Sequence, residues 1–202
     1  VCYASVVFDE NKNPSKIIGK LSSICPRKEE VGETTTKMKL DTLTQVYTKD
    51  TAEGIIGDVL SNQEAHALSA VMLCEVRNYK NINDIVRVVD GENVIKTIAN
   101  ILKRFFRNTD VIGRIGLSEF IVCMRDINSD KNAYKRAEDI CKEVSNLYSY
   151  SYNKNQITIS IGITFVKGSM DYANVLANAK TALVMAKKDI NSSFEAFYTA
   201  NN

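Results

Sequence analysis

The 202-residue chain lacks the features that would place it quickly in several classes of protein. No apolar run approaches the roughly 20 residues that a membrane-spanning helix requires, and no signal peptide is visible. The net charge is only +2 and the basic residues are not clustered, which argues against a nucleic-acid polymer as partner. These absences predict a cytoplasmic domain, and they leave open whether a longer parent protein is attached to a membrane.

The cysteines also lack a pattern. They are odd in number and widely spaced, with none of the short spacings typical of a metal site. Most of them lie within apolar runs, as buried thiols of a cytosolic protein do. The five are Cys2, Cys25, Cys74, Cys123 and Cys141. We therefore expect buried thiols and no cysteine-bound metal.

Two strands and a connector are predicted before residue 41. Residues 3–9 and 16–22 are predicted strands, joined by the turn-rich loop DENKNPS. The stretch RKEEVGETTTKMKL follows Pro26 and predicts a polar helix that runs to Leu40. Because the chain begins within a strand, we expect it to be a piece of a longer protein.

From Asp41 onward, helical and strand patterns alternate. The predicted order is a helix in TAEGIIGDVLSN, a strand at about 68–76, a helix at about 90–106, a hairpin of DVIGRI and EFIVCM, a helix in AYKRAEDICKEVSNLY, a strand in ITISIGITFV, a helix in YANVLANAKTALVMAKK and a closing strand in SFEAFY. Alternation of this kind indicates helices packed against one mixed sheet.

Six segments of this region resemble, in order, the GGDEF family of diguanylate cyclases. They are DTLTQVYTKD (41–50), CEVRNYKNIND (74–84), DGENVI (90–95), RNTDVIGRIGLSEF (107–120), SIGIT (160–164) and TALVMAKKDINS (181–192). The resemblance implies an α/β (α+β) fold, with a central mixed, mostly antiparallel sheet flanked by helices, similar to nucleotidyl cyclases and to the ferredoxin-like palm.

The resemblance also divides the chain. Residues 1–28 resemble the C-terminal end of a PAS sensor domain, residues 29–40 its exit into a linker helix, and residues 41–202 a GGDEF domain with a degenerate signature. Domains of this degenerate kind often precede a phosphodiesterase domain, so an adjacent one is a possible partner.

The resemblance implies chemistry on two GTP molecules, each held by one subunit of a homodimer and joined to give cyclic di-GMP. Mg²⁺ would be the cofactor, bound by carboxylates from the first strand and from the hairpin turn. Glu75 stands at the first-strand position, where the family usually has Asp, so we expect weakened coordination there. Ser118 replaces the hairpin carboxylate with a neutral hydroxyl. Glu119 is retained, but strand alternation is expected to direct it away from Ser118.

The nucleotide positions implied by the resemblance are only partly retained. Asn83 matches a guanine-contacting residue, Glu92 replaces the Asp expected at the base edge, and Lys187 matches a phosphate-binding lysine. Gly116 fills the first glycine position of the signature, where we expect a positive φ and a close approach of the phosphates. Leu117 fills the second and places a side chain where the triphosphate would pass.

Two further positions bear on ligands. Asn191 stands where an arginine is usual in the family. Arg107 and Asp110 form an RxxD pattern at the spacing of the family's inhibitory cyclic di-GMP site, and an arginine suits phosphate and guanine alike. The alternative for this pair is structural, since an arginine that ends a helix and an aspartate that opens a strand are common.

Three functions are compatible with these residues. The favoured one is a signalling domain of the bacterial cyclic di-GMP system that is inactive as a cyclase but binds GTP or cyclic di-GMP. The second is an active diguanylate cyclase with unusual Mg²⁺ ligands. The third is a structural dimerisation module without a nucleotide.

Overall fold

The computed structural model describes residues 2–8, 14–21, 38–78, 91–148 and 156–197, and the statements below refer to these ranges. The chain divides into two compact units, Val1–Thr35 and Thr36–Asn202. In the first unit, β1 (Cys2–Phe8) and β2 (Pro14–Leu21) pair as an antiparallel hairpin with an irregularity between Val7 and Phe8. The predicted hairpin is confirmed, whereas its resemblance to a PAS domain stays a prediction.

The second unit contains four described helices and six strands. In chain order they are β3 (Tyr47–Thr48), α1 (Lys49–Ser61), β4 (Leu68–Arg77), α2 (Gly91–Phe105), β5 (Val111–Arg114), β6 (Glu119–Met124), α3 (Asp130–Leu147), β7 (Thr158–Lys167), α4 (Tyr172–Ala186) and β8 (Ser193–Phe197). None of the helices in the described ranges has the length and apolar character needed to cross a membrane.

The six strands form one sheet in the order β3-β5-β6-β4-β7-β8. The pairs β5–β6, β6–β4 and β4–β7 are antiparallel, while β3–β5 and β7–β8 are parallel. The predicted mixed, mostly antiparallel sheet is confirmed. The order places β4 at the centre, directly beside the hairpin strand β6.

Apolar side chains fill both faces of the sheet. On one face Met72 of β4 belongs to the same buried cluster as Ile98 of α2 and Ile140 of α3. On the other face Leu73 belongs to a cluster with Ile56 of α1 and with residues of α4. Successive strand residues thus serve opposite clusters, as the period of two requires.

Helix α4 lies unusually close to β7 at Gly162. A Cβ added to Gly162 would lie 2.3 Å from the carbonyl oxygen of Ala179 and 2.3 Å from the backbone nitrogen of Leu183. Because these are backbone atoms, they cannot move aside cheaply. The glycine therefore allows α4 to rest directly on the sheet backbone.

Two boundaries and one strand differ from the sequence-based expectations. The predicted linker helix does not reach Leu40, which instead forms an isolated bridge with Tyr47; residues 29–37 lie outside the described ranges. Helix α3 begins at Asp130, before the predicted start, because its first turn is too polar to show periodicity; Ser129 occupies the N-cap position without a side-chain capping hydrogen bond. The two-residue strand β3 is too short to produce a pattern.

Candidate active site

Two carboxylates lie side by side where β4 meets the signature hairpin. Glu75 pairs in register with Glu119 of β6. The adjacent pair is joined by a hydrogen bond in which the Val76 backbone N–H donates to the Ser118 carbonyl at 2.9 Å. The Glu75–Glu119 pair is then the non-hydrogen-bonded type, whose side chains lie on one face of the sheet and closest together. The expected proximity of Glu75 and Ser118 is present in the backbone, and the side chain opposite Glu75 is that of Glu119.

Lys187 neutralises one of these carboxylates. It caps the C-terminus of α4, and its Nζ lies 2.9 Å from each carboxylate oxygen of Glu75. Like charges directly opposite each other on a sheet are destabilising. The Lys187 ammonium offsets the charge of Glu75, and the Glu119 carboxylate lies toward Gly116 in the turn. Lys187 was predicted as a phosphate ligand, and the structure places it on the predicted metal ligand.

Arg77 lies on the same face as Glu75, because it is two residues further along β4. Its Nη1 donates to the backbone carbonyl of Asp189 and lies 3.5 Å from Oγ of Ser160. Asp189 belongs to the turn that follows α4, so Arg77 and Lys187 both join the end of β4 to the end of this helix. The strand alternation from Glu75 was the one signal in the sequence that could have identified Arg77.

The hairpin turn depends on Gly116 for a reason other than backbone conformation. Neither Gly116 nor Leu117 has a positive φ, so the expectation of a left-handed glycine in the signature is wrong for this chain. Instead, a Cβ at Gly116 would lie 2.4 Å from Oε2 of Glu119. The backbone N–H groups of Ile115 and Gly116 donate to the Glu119 carbonyl and close the turn. Leu117 at the tip is 67% exposed.

Arg114 ties this turn to the start of the second unit. Its Nε and Nη2 donate to the carbonyls of Gly116 and Leu117 at 3.2 and 2.8 Å, and its Nη1 lies 3.2 Å from Oδ1 of Asp41. Burial raises the pKa of Asp41, but hydrogen bonds from Thr44 and the Arg114 guanidinium outweigh it and hold this pKa below its ordinary value. The contact was not predicted from the sequence.

The residues present do not fit the Mg²⁺ site that the family resemblance implies. Both oxygens of Glu75 are bound to an ammonium group, and Ser118 carries no charge. Within the described ranges, no three His, Cys, Asp or Glu side chains are grouped so that they could hold a metal ion. Magnesium requires oxygen ligands in strict octahedral geometry. The two glutamates fall short of that set.

The RxxD residues lie at a separate, basic cavity of about 380 Å³. Asp110 is part of the local framework: its carboxylate accepts from the backbone N–H of Arg107 at 2.8 Å and of Arg125 at 3.2 Å. The charged residues that line the cavity are five basic ones (Arg107, Arg125, Lys131, Lys135, Arg136) and two acidic ones (Asp110, Asp139). This excess of positive charge suits an anionic ligand.

The remaining predicted nucleotide residues are not brought together by the described structure. Glu92 is exposed in the first turn of α2. Asn83 lies outside the described residues.

A protein-family model matches most of the second unit. The family described as "Diguanylate cyclase, GGDEF domain" matches residues 38–193. Diguanylate cyclase A of Treponema denticola is 28% identical over 187 residues, which covers 90% of this chain and 49% of that protein. The probable diguanylate cyclase DgcT of Escherichia coli K12 is 30% identical over 122 residues, covering 58% of this chain and 27% of the relative. The chain thus spans about half or less of the length of these curated relatives.

Solved structures of similar fold include two GGDEF domains. The GGDEF domain of TpbB (YfiN) from Pseudomonas aeruginosa has a TM-score of 0.68 at 24% identity, covering 79% of this chain and 95% of that one. The coiled coil and GGDEF domain of DgcB from Caulobacter crescentus, solved in complex with cyclic di-GMP, has a TM-score of 0.68 at 21% identity, covering 78% and 84%. At these identities, the likeness establishes the fold.

Proposed function

The chain belongs to the GGDEF family of the cyclic di-GMP signalling system, and we propose that its GGDEF domain is a nucleotide-binding regulatory domain without diguanylate cyclase activity. Members of this family generally use Mg²⁺ when they are active. The proposal concerns what this particular set of residues can still do. Homodimerisation and an adjacent phosphodiesterase domain stay predictions.

The observation that carries the proposal is the state of the two metal-ligand positions. Lys187 holds Glu75 through both oxygens, while Ser118 offers a hydroxyl in place of a carboxylate. A phosphoryl transfer depends on cations that neutralise charge in the transition state. Without that set of carboxylates the site can hold a nucleotide but has lost the means to activate it.

An active cyclase is the second candidate, and one contact favours it. Glu119 lies opposite Glu75 on the same face, so two carboxylates are adjacent despite the loss at Ser118. A Mg²⁺ ion would have to displace Lys187 to use both. A purely structural module is the third candidate, and the cationic residues beside the site argue against it because they suit an anionic ligand.

The test is cyclic di-GMP synthesis from GTP and Mg²⁺, measured by chromatography of the products. We expect no detectable product from the wild-type chain, because losing the metal carboxylate removes several kcal/mol of transition-state stabilisation, equivalent to a rate loss of roughly a hundredfold to a thousandfold. Leu117 adds a steric obstacle that extra Mg²⁺ cannot relieve. Leu117→Gly combined with Ser118→Asp should therefore restore more activity than either change alone.

Matched controls separate catalysis from folding. Each variant is compared with the wild type by circular dichroism and thermal unfolding, so that a misfolded chain is not counted as inactive. Product formed by the wild-type chain at the rate of an ordinary cyclase would contradict the proposal and favour the active enzyme.

The basic cavity at Arg107 supports cyclic di-GMP as a ligand of the same domain. Cyclic di-GMP carries two negative charges, and five basic residues but two acidic ones line the cavity. Arg107 can grip a phosphate with a bidentate fork. We propose that Arg107 contacts the ligand, while Asp110 shapes the backbone that presents it.

A further inference from the structure

We infer that Arg77 and Lys187 bind the phosphates of a nucleotide at the Glu75 site without a divalent metal ion. The inference rests on the proposed nucleotide-binding function and specifies the ligand chemistry of that site. The ligand class is a nucleoside polyphosphate, held by a guanidinium and an ammonium group. The two cations would stand where Mg²⁺ is otherwise expected.

The contact between Lys187 and Glu75 is the first step. Its two distances of 2.9 Å show that the ammonium is shared by both carboxylate oxygens. The Lys187 side chain is 41% exposed and that of Glu75 is 22% exposed, so the pair lies at the surface where an incoming anion can reach it. A polyphosphate would compete with Glu75 for Lys187, and the carboxylate itself would repel it. Glu75 therefore acts as an internal competitor of the ligand.

Arg77 supplies the second cation. Its described partners are a backbone carbonyl and a hydroxyl, and within the described ranges no carboxylate lies at ion-pair distance from its guanidinium. An arginine carries five N–H donors, and only Nη1 is used in these contacts. The remaining donors can take a phosphate in a bidentate arrangement, which is the geometry that guanidinium groups favour.

Arg77 also lies at the end of α4. It reaches the carbonyl of Asp189, in the turn after α4, from the neighbouring strand. A guanidinium from β4 thus lies at the end of α4, where Lys187 is also placed. Because Arg77 and Lys187 are both fixed charges of the chain, phosphate binding here does not need a metal to bridge ligand and protein.

The test is isothermal titration of GTP into the whole chain, once with EDTA and once with excess Mg²⁺. We expect weak binding whose dissociation constant differs by less than about threefold between the two conditions, since a factor of ten corresponds to about 1.4 kcal/mol. Arg77→Gln should weaken binding about tenfold or more, as loss of a charge-assisted contact does. The affinity of Arg77→Lys for GTP should fall between those of the wild type and Arg77→Gln. Lys167→Gln, the same loss of charge at the far end of β7, should change nothing.

Glu75→Gln discriminates most sharply. If Lys187 and Arg77 hold the phosphates, this variant should bind GTP more tightly than wild type, because the competing carboxylate is gone. If Glu75 holds Mg²⁺, the same variant should lose affinity in Mg²⁺ buffer. The tighter variant also gives a background in which Arg77→Gln can be measured even when wild-type binding is weak. The affinity for tripolyphosphate should depend on Arg77 as the affinity for GTP does, because the guanine base of GTP does not contact Arg77.

The outcomes separate this inference from the proposed function. No heat with GTP in either buffer, for wild type and Glu75→Gln, would overturn nucleotide binding at this site altogether. Binding that requires Mg²⁺, or that is unchanged in a folded Arg77→Gln variant, would overturn only the metal-free arrangement. Circular dichroism of each variant verifies that it is folded.

Discussion

At the basic cavity, the structural role and the ligand-binding role fall on two different residues, Asp110 and Arg107. Asp110 accepts two backbone hydrogen bonds, from residues 107 and 125, so its carboxylate is engaged before any ligand arrives. Arg107 contributes its backbone N–H to that framework, and within the described ranges no acidic side chain pairs with its guanidinium. Substituting Asp110 would disturb the local backbone as well as ligand binding. Arg107 is therefore the informative residue.

Cyclic di-GMP binding should depend more on Arg107 than on Arg104, which lies in the last turn of α2. Arg107→Ala should weaken cyclic di-GMP at least about tenfold, because a charge-assisted hydrogen bond contributes about 1.5–3 kcal/mol. Arg104→Ala is the matched control, since Arg104 pairs with Glu143 and does not line the cavity. Isothermal titration measures both, and equal affinity in the two variants would place the ligand elsewhere.

At the scale of elements, the segment at residues 38–41 is joined to the signature hairpin by one ion pair. The Arg114 side chain is 13% exposed and that of Asp41 is 24% exposed, so the pair is largely shielded from water. The same guanidinium holds two carbonyls of the turn. The conformation of the hairpin is thereby linked to the place where the chain enters the second unit.

Asp41→Asn should lower the free energy of unfolding by about 1–3 kcal/mol near pH 7, because Arg114 loses its charged partner in a largely buried position. The pKa of Asp41 is depressed in the folded state, so its contribution is complete above its ordinary value of 3.8 and is lost as the pH falls below that value. The difference between wild type and variant should therefore shrink in acid. Urea titrations at several pH values measure this.

Asp58→Asn on the exposed face of α1 is the control for that experiment, since Asp58 makes no described side-chain ion pair. It should unfold like the wild type at every pH. A variant at Asp41 that unfolds identically as well would show that the pair with Arg114 does not stabilise the domain.

The sequence predicted most of the helices and strands, and the roles of the site residues stay predictions. Long amphipathic helices and β-branched strands carry a period that survives without tertiary information, which is why the alternation of helices and strands along the chain was predicted. The family resemblance predicted that Glu75 and the hairpin would meet at the ends of neighbouring strands. The contact of Lys187 with Glu75 spans 112 positions and depends on where α4 ends over the sheet, so no local pattern reports it. Strand alternation from Glu75 places Arg77 on the same face, but its contact with the turn after α4 spans 112 positions and has no local signal.

At the scale of the whole molecule, the second unit is organised as two apolar layers around one sheet, and three thiols report on its integrity. Cys74 and Cys141 belong to the cluster on one face and Cys123 to the cluster on the other. Burial raises the pKa of Cys123 and Cys141 to about 12 and that of Cys74 further. Since the thiolate is the reactive form, these groups should be inert in the folded domain.

Iodoacetamide at pH 8 should accordingly modify Cys74, Cys123 and Cys141 only as the second unit unfolds. Peptide mapping by mass spectrometry distinguishes them from the two N-terminal cysteines, and a sample in concentrated urea gives full modification for comparison. All three should be modified at one common rate, because the two apolar layers share one sheet and should unfold cooperatively with it. Rapid modification of Cys141 alone would show that α3 opens independently of the sheet.

The missing side chain at Gly162 has a consequence for the speed of ligand exchange. Because Gly162 is what lets α4 rest on the backbone of β7, we expect the helix to keep this place on the sheet and the Cα of Lys187 to stay fixed. Transfer of the ammonium from Glu75 to a phosphate then requires only rotation about the bonds of the lysine side chain. Such rotations take picoseconds to nanoseconds at exposed sites, against microseconds to milliseconds for a helix shift. Glu75 should therefore lower the affinity for the ligand without slowing the rate of its association.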